Sequence, residues 1–220
     1  MKNSKAGRVI IGAIMAIIFS IALYKGGNLA FAKITTYGFQ STMLNFKEIN
    51  LDQADGDVII FGDSLIQAMS PYAVGFKYVN MGVGGFTLNQ VRDLLEASDI
   101  KKYKALIIEG GTNDLLGKKD MSILLDDYKD LSNTASKKMK FYSLAVIPVS
   151  NNLDDSSRIN GRIKQFNSEI KKICLSVKGC TFIEKPNEMT PENTIMFMKD
   201  GVHLNKYGYE LWTKAFKLAI

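Results

Sequence analysis

Five short apolar runs punctuate the chain, at Val58–Phe61, Tyr78–Met81, Ala105–Ile108, Phe141–Ile147 and Thr181–Ile183. They are bounded by polar residues and glycines and are too short for buried helices, so they read as strands covered on both faces. Between them, apolar residues recur at helical spacing near Leu88–Ala97, Ser122–Thr134 and Ile159–Val177, and a last helical pattern covers Lys206–Leu218. Thr87, with Gln90 three residues later, supplies a capping box for the first of these helices. Strands alternating with helices predict an α/β fold whose parallel sheet is covered on both faces. Such a sheet places its ligand site at the carboxyl ends of its strands. Residues 34–56 form an approach segment in which a helix around Thr42–Glu48 is the one element suggested, and residues 57–220 hold the α/β pattern. A chain of 220 residues can bury a full core in one domain, and neither repeats nor low-complexity stretches interrupt it.

The first 33 residues have a different character. A basic start (Lys2, Lys5, Arg8) precedes an uncharged segment, Val9–Tyr24, rich in Ile and Ala. As a helix this segment would be roughly 24 Å long, a little short for a bilayer core and long for the apolar region of a signal peptide. Beside a buried soluble helix, two export outcomes stay open: a membrane anchor extended by Leu29–Ala32, or a cleaved signal peptide with Ala30-Phe31-Ala32 as its cleavage site. Either outcome keeps the basic residues cytoplasmic and sends the rest of the chain outward. The leader also changes the meaning of the net charge of +6, because it carries five of the 28 basic residues and no acid, leaving 23 against 22 in the remainder. That near-neutral body, with only short lysine runs beside its strands, argues against nucleic acid as a partner. In an exported chain the two cysteines, Cys174 and Cys180, form either a disulfide or two separately buried thiols. With a single distant histidine they do not supply the four ligands of a zinc site.

The ends of the predicted strands carry the candidate chemistry. The first runs into Phe61-Gly62-Asp63-Ser64-Leu65, the second into Asn80-Met81-Gly82-Val83-Gly84-Gly85, the third into Glu109-Gly110-Gly111-Thr112-Asn113-Asp114. Glycines at such places let backbone N–H groups approach a ligand, and Asn113 adds an amide donor on the same edge. The only histidine, His203, lies in Asp200-Gly201-Val202-His203, directly before the last helix. A serine hydroxyl needs a base to take its proton, and an imidazole serves best when a carboxylate fixes its tautomer. Ser64, His203 and Asp200 are the residues that fit those roles. Asp63 and Asp114 read as loop-shaping, and His203 is the one side chain whose ordinary titration falls near neutrality.

With these four blocks in order, the chain from about Asp57 to its end resembles the SGNH, or GDSL, hydrolases. Any one block is short and nonspecific; the set is specific. The resemblance implies a three-layer, flavodoxin-like fold with a parallel five-stranded sheet, here preceded by an N-terminal hydrophobic helix. It implies Ser64 as nucleophile, Asp200 and His203 as acid and base, and an oxyanion hole from the Ser64 and Gly85 N–H groups and the Asn113 amide. One departure is visible: many members have an acidic residue after the glycine of the second block, where this chain has Phe86, which puts the local hydrogen bonding of that loop in question. The implied activity is hydrolysis of a small acyl ester, such as a glycan O-acetyl group or a lipid-derived ester, through an acyl-enzyme, without metal or cofactor. Two other readings belong beside it: an O-acyltransferase acting on an envelope glycan, and a non-catalytic, membrane-tethered carbohydrate-binding protein.

Overall fold

The computed structural model describes residues 38–219; the apolar leader and its candidate cleavage site lie outside them. The chain divides into two compact units, Met1–Asn45 and Phe46–Ile220, and of the first the described residues 38–45 are helical. Helix α1 runs over residues 38–53, longer at both ends than the element expected around Thr42–Glu48. Among the described residues no helix is long and apolar enough to cross a membrane.

The second unit is built on five parallel strands, β1 (Val58–Gly62), β2 (Tyr78–Gly82), β3 (Ala105–Ile108), β4 (Phe141–Leu144) and β5 (Cys180–Ile183), in the order β2-β1-β3-β4-β5. This is the flavodoxin-like order, in which the chain leaves β1 to one side for β2 and returns to its other side for β3. Helices α2 (Ser64–Gln67), α3 (Leu88–Ala97), α4 (Thr112–Leu116), α5 (Met121–Lys138), α6 (Ser156–Ser176) and α7 (Lys206–Ala219) complete the unit. Alternation along the strands divides the core in two. Val58 and Ile60, with Ile107, Leu144 and Ile183, face Leu211, Trp212 and Phe216 of α7. On the other face Tyr128 of α5 shares a 2.7 Å hydrogen bond with Ser143 of β4 and meets the Phe166 ring of α6 edge-on at 6.0 Å. Trp212 and Phe216 are 2% and 0% exposed, and burying each contributes on the order of 3 kcal/mol.

The fourth strand is shorter than its sequence suggests. The apolar run continues to Ile147, yet pairing with β5 ends at Leu144–Ile183, followed by one further bond from Ala145 N–H to the Ile183 carbonyl at 2.9 Å. Beyond it side chains of α6 replace the missing strand. Asn167 accepts from Val146 N–H at 2.9 Å and donates to its carbonyl at 2.8 Å, and Asn160, one heptad earlier, does the same for Val149 at 2.9 and 3.0 Å. Buried backbone must be paired; these two amides allow the segment to stay buried without a sheet neighbour.

Cys174, near the end of α6, is joined to Cys180, the first residue of β5, by a disulfide with Cα atoms 5.3 Å apart. Closing this small loop contributes on the order of 2 kcal/mol by limiting the unfolded chain. The capping box at Thr87 is present, with Thr87 N–H donating to Gln90 Oε1 at 3.0 Å.

Candidate active site

Register sets the site. Gly62 pairs with Gly82 and Phe61 with Ile108, so the loops after β1, β2 and β3 leave the sheet at one level. The ladder extends one step further through Val83 N–H to Gly62 O (3.0 Å) and Glu109 N–H to Phe61 O (2.9 Å). The three glycine-containing segments therefore open side by side at the carboxyl edge.

After β1 the chain turns sharply into α2. Asp63 caps that helix, its Oδ1 accepting from Leu65 N–H at 2.9 Å, and leaves half-buried Ser64 as the first helical residue. Gly62 is required by space: a Cβ there would stand 2.5 Å from Ile66 Cγ1 and 2.8 Å from Glu109 Oε2. Asn80 ties β2 to this turn by donating to the Ile66 carbonyl at 2.7 Å, while its own Oδ1 accepts from Gly82 N–H at 3.0 Å. Behind it, Lys47 of α1 is buried and donates to the Asn80 carbonyl at 3.0 Å; burial lowers its pKa to about 8.

In the second segment Gly84 N–H donates to Gln67 Oε1 at 2.5 Å, and Gly85 has φ 78°, a left-handed conformation that glycine adopts without strain. Phe86 is buried, its N–H donating to Val83 O at 3.2 Å and its carbonyl accepting from Asn113 Nδ2 at 2.9 Å. Backbone groups thus supply hydrogen bonds in the loop that the departure at Phe86 had put in question. The second Asn113 proton has a weaker partner, since Nδ2 lies 3.5 Å from Asp63 Oδ2. Asp114 joins the second and third segments by accepting from Leu88 N–H at 2.9 Å. Both aspartates therefore shape loops, Asp63 at α2 and Asp114 at the start of α3.

The fourth segment arrives from the far end of the chain. His203 Nε2 lies 2.8 Å from Ser64 Oγ, and His203 Nδ1 lies 2.7 Å from Asp200 Oδ2. The other oxygen of Asp200 accepts from the N–H groups of Val202 (3.0 Å) and His203 (2.9 Å), which fixes the carboxylate within its own turn. Partial burial acts to raise the Asp200 pKa, but these N–H groups and the His203 ring outweigh it and the pKa is lowered. The site is open, with the Asp200 and His203 side chains 48% and 36% exposed. Beside it a cavity of about 400 Å³ is lined by Ser150, Asn152, Leu153, Phe197, Met198 and Asp200.

The structure corrects the expectation that His203 is the one group titrating near neutrality. Asp63 is fully buried, and desolvation raises its pKa to about 6, although Leu65 N–H and Glu109 pull the other way. Sequence reasoning also passed over Glu109 and Gln67. Glu109 had a signal, an acid directly after a fully apolar strand; Gln67 had none beyond lying three residues after Ser64. Among the described residues no grouping of three or more His, Cys, Asp or Glu is arranged to hold a metal ion.

Comparison with known proteins places this arrangement in a family. A putative platelet activating factor from Streptococcus pneumonia has a TM-score of 0.77 at 15% identity, over 87% of this chain and 97% of that one. A lipase/acylhydrolase from Enterococcus faecalis gives 0.61 at 19% identity, over 74% and 94%. An acetyl xylan esterase from Geobacillus stearothermophilus gives 0.58 at 18%, over 74% and 93%. At such identities the likeness concerns the fold. No curated protein matches the chain. The family model for GDSL-like Lipase/Acylhydrolase matches residues 24–216, nearly the whole chain. With that match, over the sheet and all four segments described above, the chain belongs to the GDSL-like Lipase/Acylhydrolase family of SGNH fold and is an ester-hydrolysing enzyme.

Proposed function

We propose that the protein is an extracytoplasmic serine esterase that removes small acyl groups, foremost acetyl, through an acyl-enzyme on Ser64. The observation that carries this reading is the continuous chain Ser64 Oγ, His203 Nε2, His203 Nδ1, Asp200 Oδ2, with links of 2.8 and 2.7 Å. In the first half-reaction Ser64 Oγ attacks the ester carbonyl carbon while His203 Nε2 takes the hydroxyl proton. The resulting oxyanion is met by the N–H groups of Ser64 and Gly85 and by the Asn113 amide, whose second proton is held only by the 3.5 Å contact to Asp63 Oδ2 and turns from it to the oxyanion. Collapse breaks the bond to the alcohol, which leaves with the proton from His203. Water then repeats the sequence on the acyl-enzyme, and the carboxylic acid is released.

Exposure of Asp200 and His203 to solvent favours hydrolysis over transfer, because an acyltransferase must keep water from the acyl-enzyme. The cavity that adjoins the site at Asp200 mixes amide, hydroxyl and charged groups, Asp154 and Lys199 among them, with Leu153, Phe197 and Met198, a polar lining that suits the alcohol side of a sugar or polyol ester better than a long acyl chain. The presence of an acetyl xylan esterase among proteins of like fold agrees with a glycan O-acetyl substrate. The basic and apolar leader, together with the Cys174–Cys180 disulfide, supports a location outside the cytoplasm, either anchored in the membrane or released after cleavage near Ala32.

The test is labelling with a fluorophosphonate probe, followed by a panel of p-nitrophenyl esters of increasing chain length. Labelling is expected in the wild type and absent in Ser64→Ala, with turnover greatest on the acetyl ester. Label retained by Ser64→Ala would remove Ser64 from the nucleophile role, and preference for long chains would remove the acetyl assignment. Sugar-acetate formation in place of acetate release, with a glycan acceptor present, would instead identify a transferase.

Asn113→Ala is expected to lower kcat by about 10² to 10³ with KM little changed, since the amide meets charge that exists only in the transition state. A change confined to KM would make Asn113 a substrate-binding residue.

A further inference from the structure

The catalytic scheme leaves one buried acid unused. Glu109 follows β3 directly and is 1% exposed; its Oε2 accepts from Asp63 N–H at 3.3 Å, and its Oε1 has no hydrogen-bond partner. The side chain lies against Gly62, where a Cβ would come within 2.8 Å of Oε2. It therefore sits directly beneath the turn that presents Ser64. Its charged neighbour there is Asp63, itself 0% exposed, whose carboxylate accepts from Leu65 N–H at 2.9 Å and faces the Asn113 amide at 3.5 Å.

We propose that Glu109 is a positioning residue that stays a neutral acid beneath the nucleophile turn, leaving Asp63 as the single anion that orients Ser64 and the Asn113 amide. The inference rests on Ser64 being the nucleophile. Two carboxylates buried against one turn repel each other and cannot both hold a charge cheaply, so the one better supplied with hydrogen-bond donors ionises. Asp63 has the two facing donors; Glu109 has one long backbone contact and an orphan oxygen. The remaining ionisable groups facing the pair pull in both directions. The imidazolium form of His203, from the segment before α7, favours an anion on Asp63; Asp114 of α4 opposes it more weakly. Tyr209 of α7 donates to the Leu65 carbonyl at 2.8 Å, and burial raises its pKa, so it faces the pair as a neutral phenol. Burial, followed by the Asp63 charge, raises the Glu109 pKa well above the ordinary carboxylate range.

The proposal separates two substitutions. Glu109→Gln keeps an acceptor for Asp63 N–H, replaces the acid O–H with an amide donor, and cannot ionise. It is expected to keep kcat at pH 7 within about 3-fold of wild type and to lose any fall of kcat at alkaline pH that ionisation of Glu109 causes. Glu109→Leu, of similar size, leaves Asp63 N–H without an acceptor. It is expected to lower kcat about 10- to 100-fold with KM unchanged, and the restored kcat of Glu109→Gln is the conservative rescue.

Thermal unfolding supplies a readout independent of catalysis. Because the Glu109 pKa is higher folded than unfolded, the native state binds the extra proton between the unfolded value, about 4.3, and the folded value. Wild-type stability is full below that window and falls as pH rises through it. Glu109→Gln lacks this fall, so its Tm is expected to gain on wild type as the pH is raised between 5 and 8. A Tm difference constant over that range, or a kcat loss above about 100-fold in Glu109→Gln, would overturn the proposal. The experiment includes fluorophosphonate labelling of each variant: a probe that does not react at Ser64 defeats the esterase reading, whereas Ser64 labelling with a constant Tm difference defeats the Glu109 inference alone.

Discussion

Ser64→Ala and His203→Ala are each expected to lower kcat by about 10⁴ to 10⁶, and the double variant to lose little more than either. The non-additivity follows from the 2.8 Å contact between Ser64 Oγ and His203 Nε2. Without the hydroxyl the imidazole has no proton to accept; without the imidazole the hydroxyl is not activated. Each single substitution removes the whole proton-transfer unit, and the residual rate comes from the oxyanion donors and substrate binding. Neither change should prevent folding, since both side chains lie at the solvent-facing carboxyl edge and outside the hydrophobic core. The measurement is kcat on p-nitrophenyl acetate for the two single variants and the double variant, with circular dichroism confirming the fold. Multiplying losses would mean that the two residues act separately, which the proposed mechanism does not allow.

Asp200→Asn is expected to lower kcat by about 10⁴ while leaving the geometry nearly intact. The carboxylate accepts from His203 Nδ1 at 2.7 Å, so the imidazole proton is held there and Nε2 is free to receive the Ser64 proton. An amide can turn its NH₂ toward Nδ1, forcing the ring proton onto Nε2, where it faces Ser64 and blocks the transfer. The carboxylate also stabilises the imidazolium formed during reaction, which a neutral amide does less well. Its lowered pKa keeps Asp200 ionised as the solution is acidified, so acid loss of activity in the wild type begins elsewhere. Asp63, raised to about 6, is one source, because protonation removes the anion that caps α2 and faces the Asn113 amide. Assays of wild type and Asp200→Asn between pH 5 and 8 check both points. Activity of the variant within 10-fold of wild type would remove Asp200 from the role of orienting His203.

The legible parts of the molecule were those governed by neighbours in sequence. Strands β1, β2, β3 and β5 match the expected runs to within one residue at each end, because an apolar run of that length bounded by polar residues has few alternatives. The end of β4 could not be read this way. Ala145–Ile147 is as apolar as the strand before it, and only the position of Asn160 and Asn167 across the core determines that side chains, not β5, pair this backbone. Helices α2 and α4, four and five residues long, are too short for a periodic pattern and were missed for that reason.

By itself the sequence determined the alternation of strands and helices, the parallel sheet, and the four separated blocks that identify the family, since each is written in local composition and order. The tertiary structure decided which atoms meet. It brought Ser64 against a histidine 139 residues away, joined the second and third blocks through Asn113 and the Phe86 carbonyl, and buried Glu109 beside Asp63. Proximity and desolvation are properties of the folded state, and a pKa raised by burial has no counterpart in the linear chain.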